Sequence, residues 1–377
     1  MTLPFAPRAM NRNSPDELIA VGMISGTSMD GVDVAAITTD GEGRITRGPS
    51  HARAYTKAER ATVAAALKDA AAVESRHERT PLLAQAEEVV TKAHGDALEG
   101  FFDAHGVEAD LIGWHGQTVF HAPDRGLTIQ LGDAPRLAAR FGLPVVFELR
   151  QADVAAGGQG APLVPVYHRA LARQAGLAEP LIIINLGGVA NVTYIDGDTL
   201  IAFDTGPASA LIDDGMATRG APYDEGGKTA ARGTVDAKAL AALLDNPYFA
   251  APPPKSLDRD AFSAASLAQL SFEDQIATLT RFSAEAIGRG VALLPRRPVT
   301  AVAAGGGTHN LTMMSFIEDV LGLPLASADS MGFSSDFMEA EAFAYLAVRS
   351  ARQLPLTFPG TTGVAAPLTG GQLTNPA

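Results

Sequence analysis

The stretch AVGMISGTSMDGVDVAAI, residues 20–37, places two apolar, β-prone runs on either side of a turn rich in glycine, serine and aspartate. A strand that stops at glycine and restarts a few residues later predicts a β-hairpin. The turn is wider than a two-residue hairpin needs, and its small residues leave backbone N–H groups uncovered. Those amides and the turn hydroxyls suit a phosphate chain, while Asp30 and Asp33 suit a hydrated Mg²⁺.

Two other interpretations of this turn need weighing. An ordinary glycine-rich hairpin would have the same composition. A Walker A loop is excluded, because no Gly-Lys-Ser/Thr follows and the next segment predicts a strand and not a helix.

Composition limits the class of protein. With 377 residues the chain is long enough for two domains, and 46% hydrophobic against 19% charged residues exclude disorder as the dominant state. The net charge of −13 argues against nucleic acid or an anionic membrane as the main partner, and the absence of cysteine excludes thiolate catalysis. No run approaches the roughly 18 to 20 apolar residues of a membrane span, so we expect a cytoplasmic protein.

The hairpin pattern recurs once. Residues 182–195 again read as strand, glycine turn (Gly187-Gly188) and strand. One such hairpin in each half of the chain predicts two similar α/β domains, each of which contributes a phosphate-binding hairpin to a shared cleft. We place these domains at residues 17–150 and 151–377, with the last helix, from Met338, open to assignment to the N-terminal domain.

Polar groups follow two other predicted strands. Residues 110–123 are expected to form a short buried strand that ends in a cluster of polar residues, which includes His115 and His121. Asp204 is expected to end an apolar strand just before a helix. His115 and His121 lack a carboxylate at metal-ligand spacing, so sugar contact or a structural hydrogen bond is favoured over a metal pair. For Asp204 the alternative to a cleft carboxylate is a helix cap.

Small residues dominate two further loops. Arg150 and Asp153 precede a run that cannot fill a core, which predicts close approach of the backbone to a ligand or to another element; a tight crossover between domains is the alternative. Three glycines, 305–307, separate a strand from a helix and would let a flat group such as adenosine pass close to the backbone.

Together these segments resemble the anhydro-N-acetylmuramic acid kinase family of the actin/hexokinase-like ATPase fold, from residue 20 nearly to the end of the chain. The motifs that carry the resemblance are residues 25–33, 115–118, 153–165, 203–207, 305–310 and 338–339. It implies an α/β fold with two actin-like (ribonuclease H-like) domains flanking a nucleotide cleft. It also implies that the anhydro ring is opened by water and that O6 is phosphorylated by ATP, giving N-acetylmuramic acid 6-phosphate in peptidoglycan recycling.

The resemblance implies a role for each matched residue. Asp204 is the base that activates water, and Mg²⁺ lies near Asp30 or Asp33. The residues implied in nucleotide binding are Gly26, Thr27, Ser28, Met29, Asp30, Gly31, Val32, Asp33, Gly187, Gly188, Gly305, Gly306, Gly307 and Asn310. Those implied for the sugar and its lactyl carboxylate are His115, Gln117, Arg150 and Glu339, with Arg150 the natural anion partner. The family also implies a homodimer.

Several positions depart from the family pattern, namely Trp114, Glu148, Leu149 and Ser209, and they bear on sugar binding more than on the reaction. Two alternatives stay open. One is a kinase of an ordinary hexose or carboxylic acid on the same fold. The other is a nucleotide-gated binding or filament protein, for which the sequence offers no assembly surface.

Overall fold

The computed structural model describes residues 10, 12, 14–26, 28–258 and 261–376. Thr27, one of the implied nucleotide-binding residues, lies outside the described residues. The strands are β1 (Leu18–Ser25), β2 (Gly31–Thr39), β3 (Ile45–Ala54), β4 (Leu111–Ala122), β5 (Leu127–Leu131), β6 (Val145–Phe147), β7 (Leu181–Leu186), β8 (Val189–Asp196), β9 (Thr199–Pro207), β10 (Thr300–Ala304), β11 (Leu325–Ser327) and β12 (Gln372–Thr374).

Several of the helices begin at a residue whose side chain caps the first turn. Thr80, for example, accepts a hydrogen bond from Leu83 N, and Pro81 occupies the first turn of its helix. The helices are α1 (Lys57–Ala70), α2 (Pro81–His105), α3 (Ala134–Phe141), α4 (Gln151–Ala155), α5 (Pro165–Gln174), α6 (Ala210–Ala217), α7 (Ala237–Leu244), α8 (Phe272–Val291), α9 (Leu311–Leu321), α10 (Met338–Ala351) and α11 (Pro359–Thr362). None of these helices, within the described part of the chain, has the length and apolar character that a membrane span requires.

The described chain divides into two compact units. The first unit runs to Ala175 and takes in the chain again from Phe337, and the second unit is Gly176–Asp336. Residues 151–175, which the sequence-based division placed in the second domain, belong to the first unit, and so does α10, whose assignment was left open. Each unit is an open sheet with helices, so the predicted α/β class is confirmed.

The sheet of the first unit has the strand order β12-β6-β4-β1-β2-β3, with β5 paired to β4. The predicted hairpin is confirmed: β1 and β2 are antiparallel, with Ile24 opposite Asp33. Gly22 and Gly113 lie side by side on the parallel strands β1 and β4. A Cβ on either glycine would overlap the backbone of α10, which therefore packs directly on the two strands.

The sheet of the second unit has the order β11-β10-β7-β8-β9. The second predicted hairpin is also confirmed, because β7 and β8 pair antiparallel up to Leu186 and Ala190. The helices α8 and α9 contribute to an apolar core whose fully buried residues include Ile182 and Phe203 on the strands and Phe282 on α8.

Two predicted strand ends are wrong. β4 is not a short strand that ends before the polar residues but runs through them to Ala122. Gly116 within it adopts φ +72°, and the part of the strand after Gly116 pairs with β5. β9 does not stop at Asp204 but continues to Pro207, since a register shift against Ala190 and Asn191 bulges the strand without ending it. Residues 205–207 therefore do not open a helix; α6 begins at Ala210.

Candidate functional site

The turn between β1 and β2 presents backbone to solvent. Met29 N donates to Gly26 O at 3.1 Å, and Met29 itself has φ 55°. A Cβ on Gly26 would meet only Ser28 Oγ, at 3.5 Å. Gly31 is different, because a Cβ there would overlap Arg53 O on β3. Packing alone thus explains Gly31, whereas Gly26 is open.

The carboxylates of this hairpin differ in exposure. The Asp30 side chain is 74% exposed and lies 3.9 Å from Arg60 Nη1. Asp33 is half-buried on β2, and Val32 beside it is fully buried. Across residues 14–26, 28–258 and 261–376 no group of three or more histidines and carboxylates is placed to hold a metal ion. A cation at this turn would need water and phosphate oxygens to complete its coordination.

Arg150 and His115 form one hydrogen-bonded pair. Arg150 Nε donates to His115 Nε2 at 2.9 Å, and His115 Nδ1 lies 2.9 Å from Gly116 O. Because arginine only donates, Nε2 is the acceptor and Nδ1 carries the hydrogen. Burial, and then the charge of Arg150, holds the pKa of His115 well below its usual value. His115 is therefore neutral, with both ring nitrogens occupied.

The guanidinium of Arg150 is held on a second side by Gly160, whose carbonyl oxygen accepts from Nη1 at 2.7 Å. Burial lowers the pKa of Arg150 to about 10, and the charges of Glu339 and Asp153 partly oppose that shift. Arg150 thus stays charged at neutral pH. Glu339 is exposed in the first turn of α10, and its charge is among those that oppose the lowering of the Arg150 pKa.

Gln117 links this group to the first hairpin. Its Nε2 donates to Gly26 O and to Thr118 O, each at 3.2 Å. Its Oε1 is buried and accepts no hydrogen bond within the described residues. His121, weighed as a partner of His115 for a metal, instead has Nδ1 2.9 Å from Thr128 Oγ1. Burial lowers the pKa of His121 to about 4.

In the second unit, Asp204 is a half-buried carboxylate in β9. Its hydrogen-bond partners come from the single segment that contains Tyr248, Lys255 and Leu257. Leu257 N donates to its Oδ2 at 2.8 Å. The backbone is fixed on both sides, since Asp204 N donates to Lys255 O at 3.0 Å and Tyr248 Oη donates to Asp204 O at 2.6 Å. Burial raises the pKa of the Asp204 carboxyl to about 6, and the Leu257 N–H only partly opposes this. Asp204 is not a helix cap.

Sequence reasoning missed the residues around Asp204. Residues 246–255 read as a rigid connector, yet Lys255 Nζ donates to Tyr248 O at 2.7 Å and lies 4.5 Å from the Tyr248 ring centroid. Burial lowers the pKa of Lys255. The one relevant feature of the sequence is a lysine that directly follows three prolines. Consecutive prolines indicate a stiff segment, but they do not indicate which residues that segment contacts.

The glycines of the second unit fall into two groups. Gly187 and Gly188 offer their carbonyl oxygens to the start of α6, where Ser209 N and Ala208 N donate at 3.0 and 2.9 Å. A Cβ on Gly305 or Gly307 would lie 2.6 Å from Asn185 Oδ1 or Leu186 Cβ, so packing on β7 explains both. Gly306 has nothing within 4 Å and is the open member of the three.

Asn310, also predicted at the nucleotide, caps α9. Its Oδ1 accepts from Met313 N at 2.9 Å, and the side chain is 8% exposed. Of the departures from the family pattern, Glu148 forms an ion pair with Arg76, while Trp114 is fully buried with its ring centroid 5.5 Å from that of His94. Neither departure disturbs the pair formed by Arg150 and His115.

Comparison with known proteins gives one consistent family. A family model described as anhydro-N-acetylmuramic acid kinase matches residues 18–376. The curated protein of that name from Rhodopseudomonas palustris (strain BisB18) is 49% identical over 365 residues, covering 95% of this chain and 100% of the relative. The protein of the same name from Nitrobacter winogradskyi is 50% identical over 365 residues, with the same two coverages.

Among solved structures, the activator of the 2-hydroxyisocaproyl-CoA dehydratase from Clostridium difficile is similar at a TM-score of 0.44 and 11% identity. The similarity covers 89% of this chain and 96% of that one.

Proposed function

The chain belongs to the anhydro-N-acetylmuramic acid kinase family, and from this premise we propose that it opens 1,6-anhydro-N-acetylmuramic acid with water and phosphorylates O6 from ATP. The product is N-acetylmuramic acid 6-phosphate, which places the enzyme in peptidoglycan recycling and amino-sugar catabolism.

The reaction balances with one base. Water loses a proton to a carboxylate as its oxygen bonds to the anomeric carbon, and the bond from that carbon to O6 breaks. O6 takes the γ-phosphoryl group, and ADP leaves. Phosphoryl transfer itself needs positioning and neutralisation of charge, so proton removal from water is the step that requires a side chain of tuned pKa.

The environment of Asp204 is the observation that carries the proposal. A carboxyl with its pKa raised to about 6 is a stronger base than an ordinary aspartate and is still ionised at neutral pH. Oδ2 is held by Leu257 N, and Oδ1 accepts no hydrogen bond from the described residues. A fixed carboxylate with one free oxygen suits the acceptance of a proton from a bound water.

The sugar is assigned to residues of the first unit. Arg150 has Nε and Nη1 engaged by His115 and Gly160, which leaves Nη2 for a carboxylate such as the lactyl group. Glu339 is exposed and supplies an acceptor for a sugar hydroxyl. His115, with both ring nitrogens occupied, contributes by holding Arg150 and not by donating to the sugar.

From the family resemblance we assign nucleotide contacts to Gly26 and Ser28 in the first unit and, separately, to Gly306 in the second unit. A Cβ on Gly26 would meet only Ser28 Oγ, at 3.5 Å, and one on Gly306 would meet no atom within 4 Å. Asp30 and Asp33 fit a Mg²⁺ that keeps most of its waters, because Asp30 is exposed and further acidic ligands are absent from the described surroundings. When bound, the ion would neutralise charge on the phosphates. The family resemblance also supports a cytoplasmic homodimer, and sedimentation at assay concentration measures that state.

The test is a coupled ADP-release assay with Mg-ATP and 1,6-anhydro-N-acetylmuramic acid, run in ¹⁸O-water with mass analysis of the sugar. The expected product carries one added water, one added phosphoryl group and the label on the anomeric oxygen, not on O6. ADP release with an intact anhydro ring would mean uncoupled hydrolysis. Phosphorylation of an open hexose or a carboxylic acid, without turnover of the anhydro sugar, would replace this proposal by the alternative kinase.

A further inference from the structure

Asp153 is a buried carboxylate with two short hydrogen bonds and no role in the reaction described above. It is 2% exposed, and its Oδ1 accepts from Gly160 N at 2.6 Å while its Oδ2 accepts from Thr362 Oγ1 at 2.6 Å. Burying a carboxylate costs free energy unless its oxygens are paired, and here both are. The chain thus retains a costly group at this position.

The loop that contains Gly158 and Gly160 packs closely against Asp153. A Cβ on Gly158 would overlap Asp153 Oδ1, and Gly160 combines φ +68° with a Val154 side chain 2.6 Å from its would-be Cβ. Thr362, at the end of α11, is fully buried and also accepts from Gln159 N at 2.7 Å through its carbonyl oxygen. The loop and the C-terminal segment therefore meet on one carboxylate.

Gly160 connects this carboxylate to Arg150. Its N–H is fixed by Asp153, and its carbonyl oxygen accepts from Arg150 Nη1 at 2.7 Å. His115 holds Nε of the same guanidinium at 2.9 Å. A guanidinium held at two nitrogens presents the third in one direction, which is what recognition of a carboxylate requires.

We propose that Asp153 is a positioning residue for Arg150: through Gly160 it fixes the guanidinium toward the anionic group of the substrate, with Thr362 of α11 as its support. The inference rests on the proposed function only in taking that group to be the carboxylate of the sugar. The hydrogen bonds that fix Arg150 are themselves present in the protein without substrate.

The first experiment therefore needs no substrate. In protein labelled with ¹⁵N-arginine, the Arg150 Nε–H resonance, assigned by its loss in Arg150→Lys, is expected to be protected from solvent exchange. Asp153→Ala should raise its exchange rate by about tenfold or more, since a hydrogen bond to a charged group contributes roughly 1.5–3 kcal/mol. Asp153→Asn, whose amide oxygen still accepts from Gly160 N, should restore most of the protection.

Controls separate positioning from general destabilisation. Asp133→Ala removes a carboxylate that accepts from Arg136 N at 3.0 Å in the same unit, away from the loop, and should leave the Arg150 resonance unchanged. Where Asp153→Ala does not fold, Thr362→Val removes one arm of the support and is expected to act in the same direction. Unchanged protection in both Asp153→Ala and Thr362→Val would overturn the proposal.

The second experiment is a double-mutant cycle with Arg150→Ala in the kinase assay. Asp153→Ala alone should raise KM for the anhydro sugar about tenfold and leave KM for ATP unchanged. In the Arg150→Ala background it should have almost no further effect. A full, additive effect there would show that Asp153 acts independently of Arg150. No turnover by the wild-type protein would count against the proposed function, while the NMR result would still decide the hold on Arg150.

Discussion

Asp204 is the residue at which stability and activity conflict. Burial raises its carboxyl pKa from 3.8 to about 6, so the folded protein binds this proton more tightly than the unfolded chain does. The stability that comes from the protonated form is present below about pH 4 and is lost as the pH rises through about 6. At neutral pH the ionised base therefore destabilises the fold, by at most about 3 kcal/mol and by less where solvent reaches it.

Asp204→Asn should therefore separate the two properties. The amide keeps an oxygen for Leu257 N but cannot take a proton from water, so kcat is expected to fall by about 10² to 10⁴-fold. The free energy of unfolding should rise relative to wild type at pH 7.5 and show no such gain at pH 4. Steady-state kinetics and urea unfolding at the two pH values measure both effects.

The matched control is Asp198→Asn, at the exposed turn between β8 and β9. It should change neither kcat nor the pH dependence of unfolding. In the wild-type protein, kcat/KM should decline on the acid side of about pH 6, as the base becomes protonated. Substantial turnover by Asp204→Asn would exclude Asp204 as the base.

Individual residues of the candidate site could be predicted from the sequence only where they belong to a family motif. Asp204, Arg150 and Glu339 could be named from the family pattern, and Arg150 and Glu339 both lie in the first unit. The Leu257 N–H and Tyr248 hydroxyl that hold Asp204 could not be named. They come from about 50 residues along the chain, and nothing in local spacing encodes such a contact.

At the scale of elements, the close packing of α10 on β1 and β4 requires residues without side chains at the point of contact. Gly22 on β1 and Gly113 on β4 lie next to each other, and a Cβ on either would overlap the backbone of Ala340 or Phe343. Neither glycine has a positive φ, so the requirement is close approach and not turn geometry. The two strands and the helix were each predicted from the sequence, but their contact was not.

Gly113→Ala is expected to destabilise the protein by about 1–3 kcal/mol or more, because backbone atoms, unlike a flexible side chain, cannot move aside cheaply. Gly43→Ala is the control: no atom lies within 4 Å of its would-be Cβ, and its φ is not positive. Chemical denaturation measures both. Equal stability of the two variants would mean that α10 does not rest on β4 as described.

The misplaced strand ends belong to this scale as well. β4 continues past His115 because Gly116 takes a left-handed conformation, and β9 continues past Asp204 because of a bulge. A polar residue after an apolar run usually predicts the end of a strand. A β-bulge lets the strand continue past such a residue, and the amino-acid composition does not reveal the bulge. His115, Gln117 and Asp204 therefore lie inside strands, where the backbone on both sides is fixed.

At the scale of the whole molecule, the two units differ in how the chain builds them. The second unit is continuous, Gly176–Asp336, and has its own apolar core. The first unit needs two separate segments, since α10 and β12 come from the C-terminal part of the chain. A segment with a complete core can fold alone, whereas one that lacks a covering helix cannot bury its sheet.

We therefore expect the fragment 176–336 to unfold cooperatively and the fragment 1–175 not to, as followed by near-UV circular dichroism during heating. Adding a peptide of residues 337–377 to the fragment 1–175 should restore a cooperative transition. A cooperative transition of the fragment 1–175 by itself would contradict this division of the chain.

The late position of α10 also has a consequence for biosynthesis. A ribosome adds about 5 to 20 residues per second, so the strands β1 and β4 wait on the order of 10 to 40 s for the rest of the chain to emerge. Throughout that interval the glycine-lined face of the nascent sheet is open, while the second unit can already close. The nascent first unit is thus the part of this enzyme that a trigger-factor-like chaperone would be expected to shield, and codon choice between residues 176 and 337 sets how long that protection is needed.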